Sequence, residues 1–155
     1  MESTHFKNLK LITPFSTIFD AEVVVRDGKF SYIGKAGSLN ASDHNQTIDC
    51  SGLTMTPGYI DTHIHGCVGF DFMTATEAEM HIMLDWLAGH GVTGILATLS
   101  CAPVDSLRAA IDRIRTTMLS QEPAETKILG VHLEGPFFNI EKRGALLESQ
   151  ILSPD

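Results

Sequence analysis

The chain has 155 residues, 43% of them hydrophobic and 19% charged, the balance of a soluble globular protein long enough to build a core of its own. Eleven basic against nineteen acidic residues leave a formal net charge of −8, a field that repels polyanions and excludes nucleic acid as a partner. The opening Met1-Glu2-Ser3-Thr4-His5 lacks the layout of a signal peptide, and no apolar run approaches the roughly 20 residues of a membrane span, so a cytoplasmic protein without membrane contact is expected.

Cys50, Cys67 and Cys101 are widely spaced, without a CxxC pair, and read as free thiols in a reducing compartment. Cys67 lies two residues past a histidine pair and could approach a metal, although a buried small apolar residue is the plainer reading.

Residues 1–56 read as strands and turns, a small β domain. Val23-Val24-Val25 runs through Arg26-Asp27-Gly28-Lys29 into Phe30-Ser31-Tyr32-Ile33, and Asp-Gly between such runs signals a hairpin. A polar loop from Ser38 to Gln46 precedes a short run at Thr47-Ile48-Asp49-Cys50. No spacing here is helical.

From residue 57 to 155 strand and helix alternate. An apolar run over 57–64 comes first. Thr76-Glu77-Ala78-Glu79 has the form of a capping box, after which Met80, Leu84 and Leu87 recur at helical spacing until Gly89 and Gly91. Val92 to Leu99 is a buried strand in which Gly94 marks a close approach. Pro103 opens a second helix, with Leu107, Ile111, Ile114 and Met118 on one face and Arg108, Asp112 and Arg115 on a solvated one. Lys127 to Glu134 is a third strand. Continuous apolar strands alternating with helices predict parallel βαβ units with right-handed crossovers.

In such folds the chemistry sits at the carboxyl ends of the strands. Pro57-Gly58-Tyr59-Ile60-Asp61-Thr62-His63-Ile64-His65-Gly66 ends in two histidines at i and i+2, which strand alternation places on one face. Glu134 ends the third strand, and His132 shares its face. Imidazole nitrogens and a carboxylate suit Zn, Fe or Co, and three protein ligands with an open position form a catalytic pattern, so His63, His65 and Glu134 are the candidate ligands of a hydrolytic metal centre. Asp61 could orient an imidazole or pack at the strand start. His81 and His90, which flank the first helix, read as surface or capping residues, and Trp86 as core or interface.

These residues also carry a resemblance. The stretch from Pro57 to Gly66 resembles the first-strand signature of the amidohydrolase superfamily. His132-Leu133-Glu134-Gly135-Pro136-Phe137, followed by Lys142-Arg143-Gly144-Ala145, resembles the N-acetylglucosamine-6-phosphate deacetylase family within it. The resemblance covers the whole chain and implies an α/β fold in which a small β-sandwich part precedes the first three β/α units of a (β/α)8 TIM-type barrel. It implies one or two divalent ions, Zn or Fe, held by His63, His65 and Glu134. It further implies a phosphorylated amino-sugar substrate that loses its acetyl group, contact of Gly144 and Ala145 with that substrate, and a homo-oligomer of two or more subunits.

Two further histidine ligands and the catalytic aspartate of that family come from later strands, so no catalytic residue is assigned between Met1 and Asp155. Leu146 stands where some members carry a polar residue that approaches the substrate. A complete barrel takes about 250 residues, and fewer than a hundred follow Gly58, enough for three of eight units. The expectation is therefore the N-terminal portion of a longer enzyme, inactive alone and exposing an apolar strand edge. Hydrolysis of a cyclic amide or an N-acyl amino acid, and a catalytically silent assembly module, are the competing readings.

Overall fold

A computed structural model describes residues 3–37 and 45–154, and the chain divides into two compact units, residues 1–57 and 58–155. The first unit contains β1 (Ser3–Ile12), β2 (Thr17–Arg26), β3 (Lys29–Lys35), β4 (Gln46–Asp49) and β5 (Thr54–Met55). They form one mixed sheet in the order β3-β2-β1-β4, with β5 also paired to β1. The β2–β3 hairpin turns at Asp27-Gly28, whose φ angles of 48° and 73° are both positive, as a primed turn requires. Leu9, Leu11, Ala21, Val23 and Cys50 form the core of this unit. Among the described residues it is a single sheet, without the second layer of a sandwich. All but the end of the expected loop from Ser38 to Gln46 lies outside the described residues.

The second unit runs β6 (Tyr59–Ile64), α1 (Glu77–Gly89), β7 (Val92–Leu99), α2 (Val104–Ser120), β8 (Lys127–Leu133), followed by two short 3-10 turns at Ile140–Lys142 and Glu148–Gln150. The strand order is β6-β7-β8, and both pairs are parallel, as the alternation of strand and helix predicts. No barrel closes among the described residues. Tyr59 and Ile60 on β6 and Leu129 and Leu133 on β8 are exposed.

Thr76 caps α1 through a complete capping box: its side chain accepts from the Glu79 N–H, while the Glu79 carboxylate accepts from the Thr76 N–H at 2.8 Å. Met80, Met83, Leu84 and Leu87 then bury one face against Phe72, Ile95, Ala97, Leu99 and Ile128. At Gly94 an added Cβ would lie 2.8 Å from Leu129 Cδ1, the close approach expected there.

α2 differs from its expected stripe. Its buried face is Leu107, Ala110, Ile114 and Thr117, while Ile111 is half-buried and Met118 is 39% exposed. Hydrophobicity alone misplaces that face because small residues occupy it. Thr117 is tolerated inside because its hydroxyl is satisfied by Arg113 O at 3.1 Å. Arg108 and Arg115 are solvated, but Arg113 turns inward and donates to the carbonyls of Met73 and Ala75. No helix among the described residues is long and apolar enough to cross a membrane.

Candidate metal centre

The carboxyl ends of the three parallel strands meet at one place. His63 Nε2 lies 3.3 Å from His65 Nε2, His65 Nε2 lies 3.1 Å from Glu134 Oε2, and His63 Nε2 lies 4.0 Å from the same oxygen. These three side chains are the group that could hold a metal ion, with donor atoms all within 4.8 Å of one another. Donors at about 2.1 Å from a shared ion in a tetrahedral set stand about 3.4 Å apart. The observed separations bracket that edge, and two nitrogens with one carboxylate oxygen are a fitting donor set for a divalent ion of intermediate hardness. The side chains of His63, His65 and Glu134 are 50%, 36% and 31% exposed, so further ligands or substrate have access from the open side.

Local folding places each donor. Asp61 pairs with Ile95 and Ile64 with Ala97, so β6 takes three residues over a stretch that β7 covers in two. This bulge withdraws consecutive backbone N–H groups from the ladder. Two side chains satisfy them: Asp61 Oδ1 accepts from the His63 N–H at 3.0 Å, and Thr98 Oγ1 accepts from the Ile64 N–H at 3.0 Å. Asp61 thus holds the backbone of His63. Beyond the strand, the His65 carbonyl accepts from the Phe72 N–H at 2.8 Å, which ties the ligand to a fully buried side chain. Glu134 extends β8 by donating its N–H to Leu99 O at 2.9 Å.

His132 joins the margin of the site, its ring 5.0 Å from that of His63 and its Nδ1 3.3 Å from Thr98 Oγ1. Ser100 Oγ lies 3.3 Å from His65 Nδ1. Neither Thr98 nor Ser100 stood out in the sequence, although they repeat the i, i+2 pattern of the ligands on the intervening strand.

The other candidates fall elsewhere. Cys67 faces Met83 O at 3.8 Å and packs against the core of the unit, and burial pushes its thiol pKa up. Cys101 is buried behind Glu134, and its thiol pKa is raised by burial and then by the Glu134 charge. His81 pairs with Glu125 at 2.8 Å. His90 caps α1 and stacks on Trp86, which is 43% exposed and therefore not core. Gly144 and Ala145 follow the first 3-10 turn, are exposed, and do not belong to the three-donor cluster.

Parallel β/α units with a His-x-His pair at the end of one strand and a carboxylate two strands on have the arrangement that the amidohydrolase resemblance implies. No family model matches the chain. It is 34% identical to the N-acetylglucosamine-6-phosphate deacetylase of Vibrio furnissii over 81% of its own length and 31% of the relative's. It is 31% identical to the deacetylase of the same name from Lysinibacillus sphaericus, over 96% of its length and 38% of the relative's. The crystal structure of N-acetylglucosamine-6-phosphate deacetylase from Pasteurella multocida superposes with a TM-score of 0.87 at 27% identity, covering 99% of this chain and 39% of that one. The chain is thus similar to N-acetylglucosamine-6-phosphate deacetylases and spans 31% and 38% of the length of the two curated relatives it is compared with.

Proposed function

We propose that this segment supplies part of the metal site of an enzyme that hydrolyses the acetamide of N-acetylglucosamine 6-phosphate to glucosamine 6-phosphate and acetate. The convergence of His63, His65 and Glu134 within coordination distance of one another carries the reading. When bound there, a divalent ion, Zn or Fe, supplies a Lewis acid for the amide carbonyl and a water-derived nucleophile at neutral pH. His63 and His65 present neutral nitrogens, Glu134 offsets the positive charge, and the bulge of β6 fixes the spacing of the two imidazoles. The backbone at Gly144 and Ala145 borders the sugar. The group that moves the proton is not one of these residues.

Because the three donors are half open to solvent, the segment alone holds an ion weakly and does not turn over. The test uses the polypeptide extended to the length of its relatives, with metal content and acetate release measured together. Release of acetate from the sugar phosphate, lost in His63→Ala and Glu134→Gln, is expected. A metal-loaded protein that leaves the sugar phosphate intact but hydrolyses a cyclic amide or an N-acyl amino acid would overturn the assignment.

A further inference from the structure

The residues at the ends of β6, β7 and β8 form a small grid. His63 and His65 occupy one column and His132 and Glu134 the other, and the column between them holds two hydroxyls, Thr98 and Ser100. Thr98 is fully buried, on the face of β7 opposite Ile95, Ala97 and Leu99, which pack under the helices. Each hydroxyl meets an imidazole Nδ1, Thr98 that of His132 and Ser100 that of His65, both at 3.3 Å.

We propose that Ser100 and Thr98 are positioning residues of the metal half-site, an inference that rests on the metal reading above. The choice of a hydroxyl has a physical reason. In the absence of an ion, His65 Nε2 lies 3.1 Å from the Glu134 carboxylate, a distance at which an Nε2–H donates to it. With an ion in place Nε2 must offer its lone pair, so the proton resides on Nδ1. A backbone carbonyl opposite Nδ1 would serve only the second state, since it can only accept. The Ser100 hydroxyl serves both, donating to a bare Nδ1 and accepting from Nδ1–H after rotating about its C–O bond. The ring orientation is then the same before and after the ion arrives, and no reorientation is needed at binding.

Thr98 acts on the other side. Its Oγ1 accepts the Ile64 N–H released by the bulge and donates to Leu96 O at 3.3 Å, which leaves a lone pair for an Nδ1–H of His132. One buried oxygen therefore fixes both the backbone at Ile64, which closes the bulge and lies between the two ligand histidines, and the ring that packs against His63.

Outer hydrogen-bond partners of ligating histidines typically change metal affinity by about 10- to 100-fold when removed. Ser100→Ala is expected to weaken Co(II) binding to the chain by that factor, measured by competition with a chelator, and Ser100→Thr to recover it to within about threefold. Nitrogen NMR of the metal-free chain gives an independent readout: the His65 Nδ1 resonance should move toward that of a bare imidazole nitrogen in Ser100→Ala and return in Ser100→Thr. Thr98→Ser, which keeps the hydroxyl, covers the case in which Thr98→Val does not fold. Co(II) affinity of Ser100→Ala within twofold of the parent, together with an unmoved Nδ1 resonance, would overturn the proposal. A moved resonance in a chain whose parent sequence binds no Co(II) would uphold the contact and refute the metal reading.

Discussion

Gly66 follows His65 directly, and its replacement by alanine separates two costs that usually come together. Its φ of 153° lies on the glycine side of the map, and a Cβ built there would stand 2.1 Å from the Phe70 carbonyl oxygen and 2.8 Å from Asp71 Cα. A carbon and a carbonyl oxygen do not come closer than about 3.3 Å without repulsion, so the 66–71 turn must open by about 1 Å. That turn carries the Phe72 N–H that holds the His65 carbonyl. Gly69, with φ of 90° and nothing within 4 Å of its added Cβ, provides the control: Gly69→Ala introduces backbone strain of about 1–2 kcal/mol and no clash. Each kcal/mol corresponds to about 4–8 °C in Tm for a unit of this size. Gly69→Ala should therefore lower Tm by that increment once or twice and leave Co(II) affinity unchanged. Gly66→Ala should lower Tm further and also weaken Co(II) binding by about tenfold or more, because the histidine moves with the turn. Calorimetry and chelator competition on both variants check this. Equal metal affinities for Gly66→Ala and the parent would refute the idea that the turn positions His65.

Phe72→Ala should be the most damaging change in the turn, since the ring is fully buried in the core of the second unit and such truncations cost about 3–5 kcal/mol; urea unfolding measures it. Thr76→Ala should cost about 1 kcal/mol at neutral pH through loss of the helix cap. The Thr76 N–H and hydroxyl hold the Glu79 carboxyl below its ordinary value of 4.5, so this carboxylate's contribution is complete above pH 4.5 and disappears as pH falls through the lowered value. Thr76→Ala removes the hydroxyl and keeps the N–H, so the difference in Tm from the parent should shrink in acid only by the hydroxyl's share, as a pH series of melts would show. Cys101, buried and with a raised thiol pKa, should react with iodoacetamide at pH 8 far more slowly than an unfolded-chain cysteine, and the half-buried Cys67, whose thiol pKa is also raised, at a rate between the two; alkylation of Cys101 at the unfolded rate, followed by mass spectrometry, would contradict its burial.

Much of the second unit was legible because its signals are local. The capping box at Thr76, the apolar run at Val92 to Leu99 and the proline before α2 each act over a few residues, and each element begins where those signals place it. The face of α2 was harder to read, since Ala110 and Thr117 are buried by fit and by internal hydrogen bonds that hydropathy does not register. Arg113 was hidden for the same reason: a guanidinium looks solvated in a sequence, yet it spans from α2 to two carbonyls of the loop after β6. Thr98 and Ser100 carry no catalytic signature of their own. Their significance depends on β7 lying between β6 and β8, which is a fact of sheet order.

The histidine pair shows how a correct expectation can rest on an incomplete cause. Simple alternation puts His63 and His65 on one face only if the strand is regular, and the register shows that it is not: β6 bulges between Asp61 and Ile64. A bulge inserted without compensation would turn one imidazole away and leave two N–H groups without acceptors, each costing about 1–3 kcal/mol if buried. Here Asp61 and Thr98 accept those two groups, so the bulge becomes a fixed feature that brings the two Nε2 atoms to 3.3 Å. A regular strand separates same-face neighbours by two rises of about 3.3 Å, too far for two short rings standing perpendicular to share one ion without tilting. The two rings do tilt, standing 79° to one another with centroids 5.1 Å apart, and Asp61 acts on the backbone of the bulge, its Oδ1 accepting from the His63 N–H rather than meeting an imidazole.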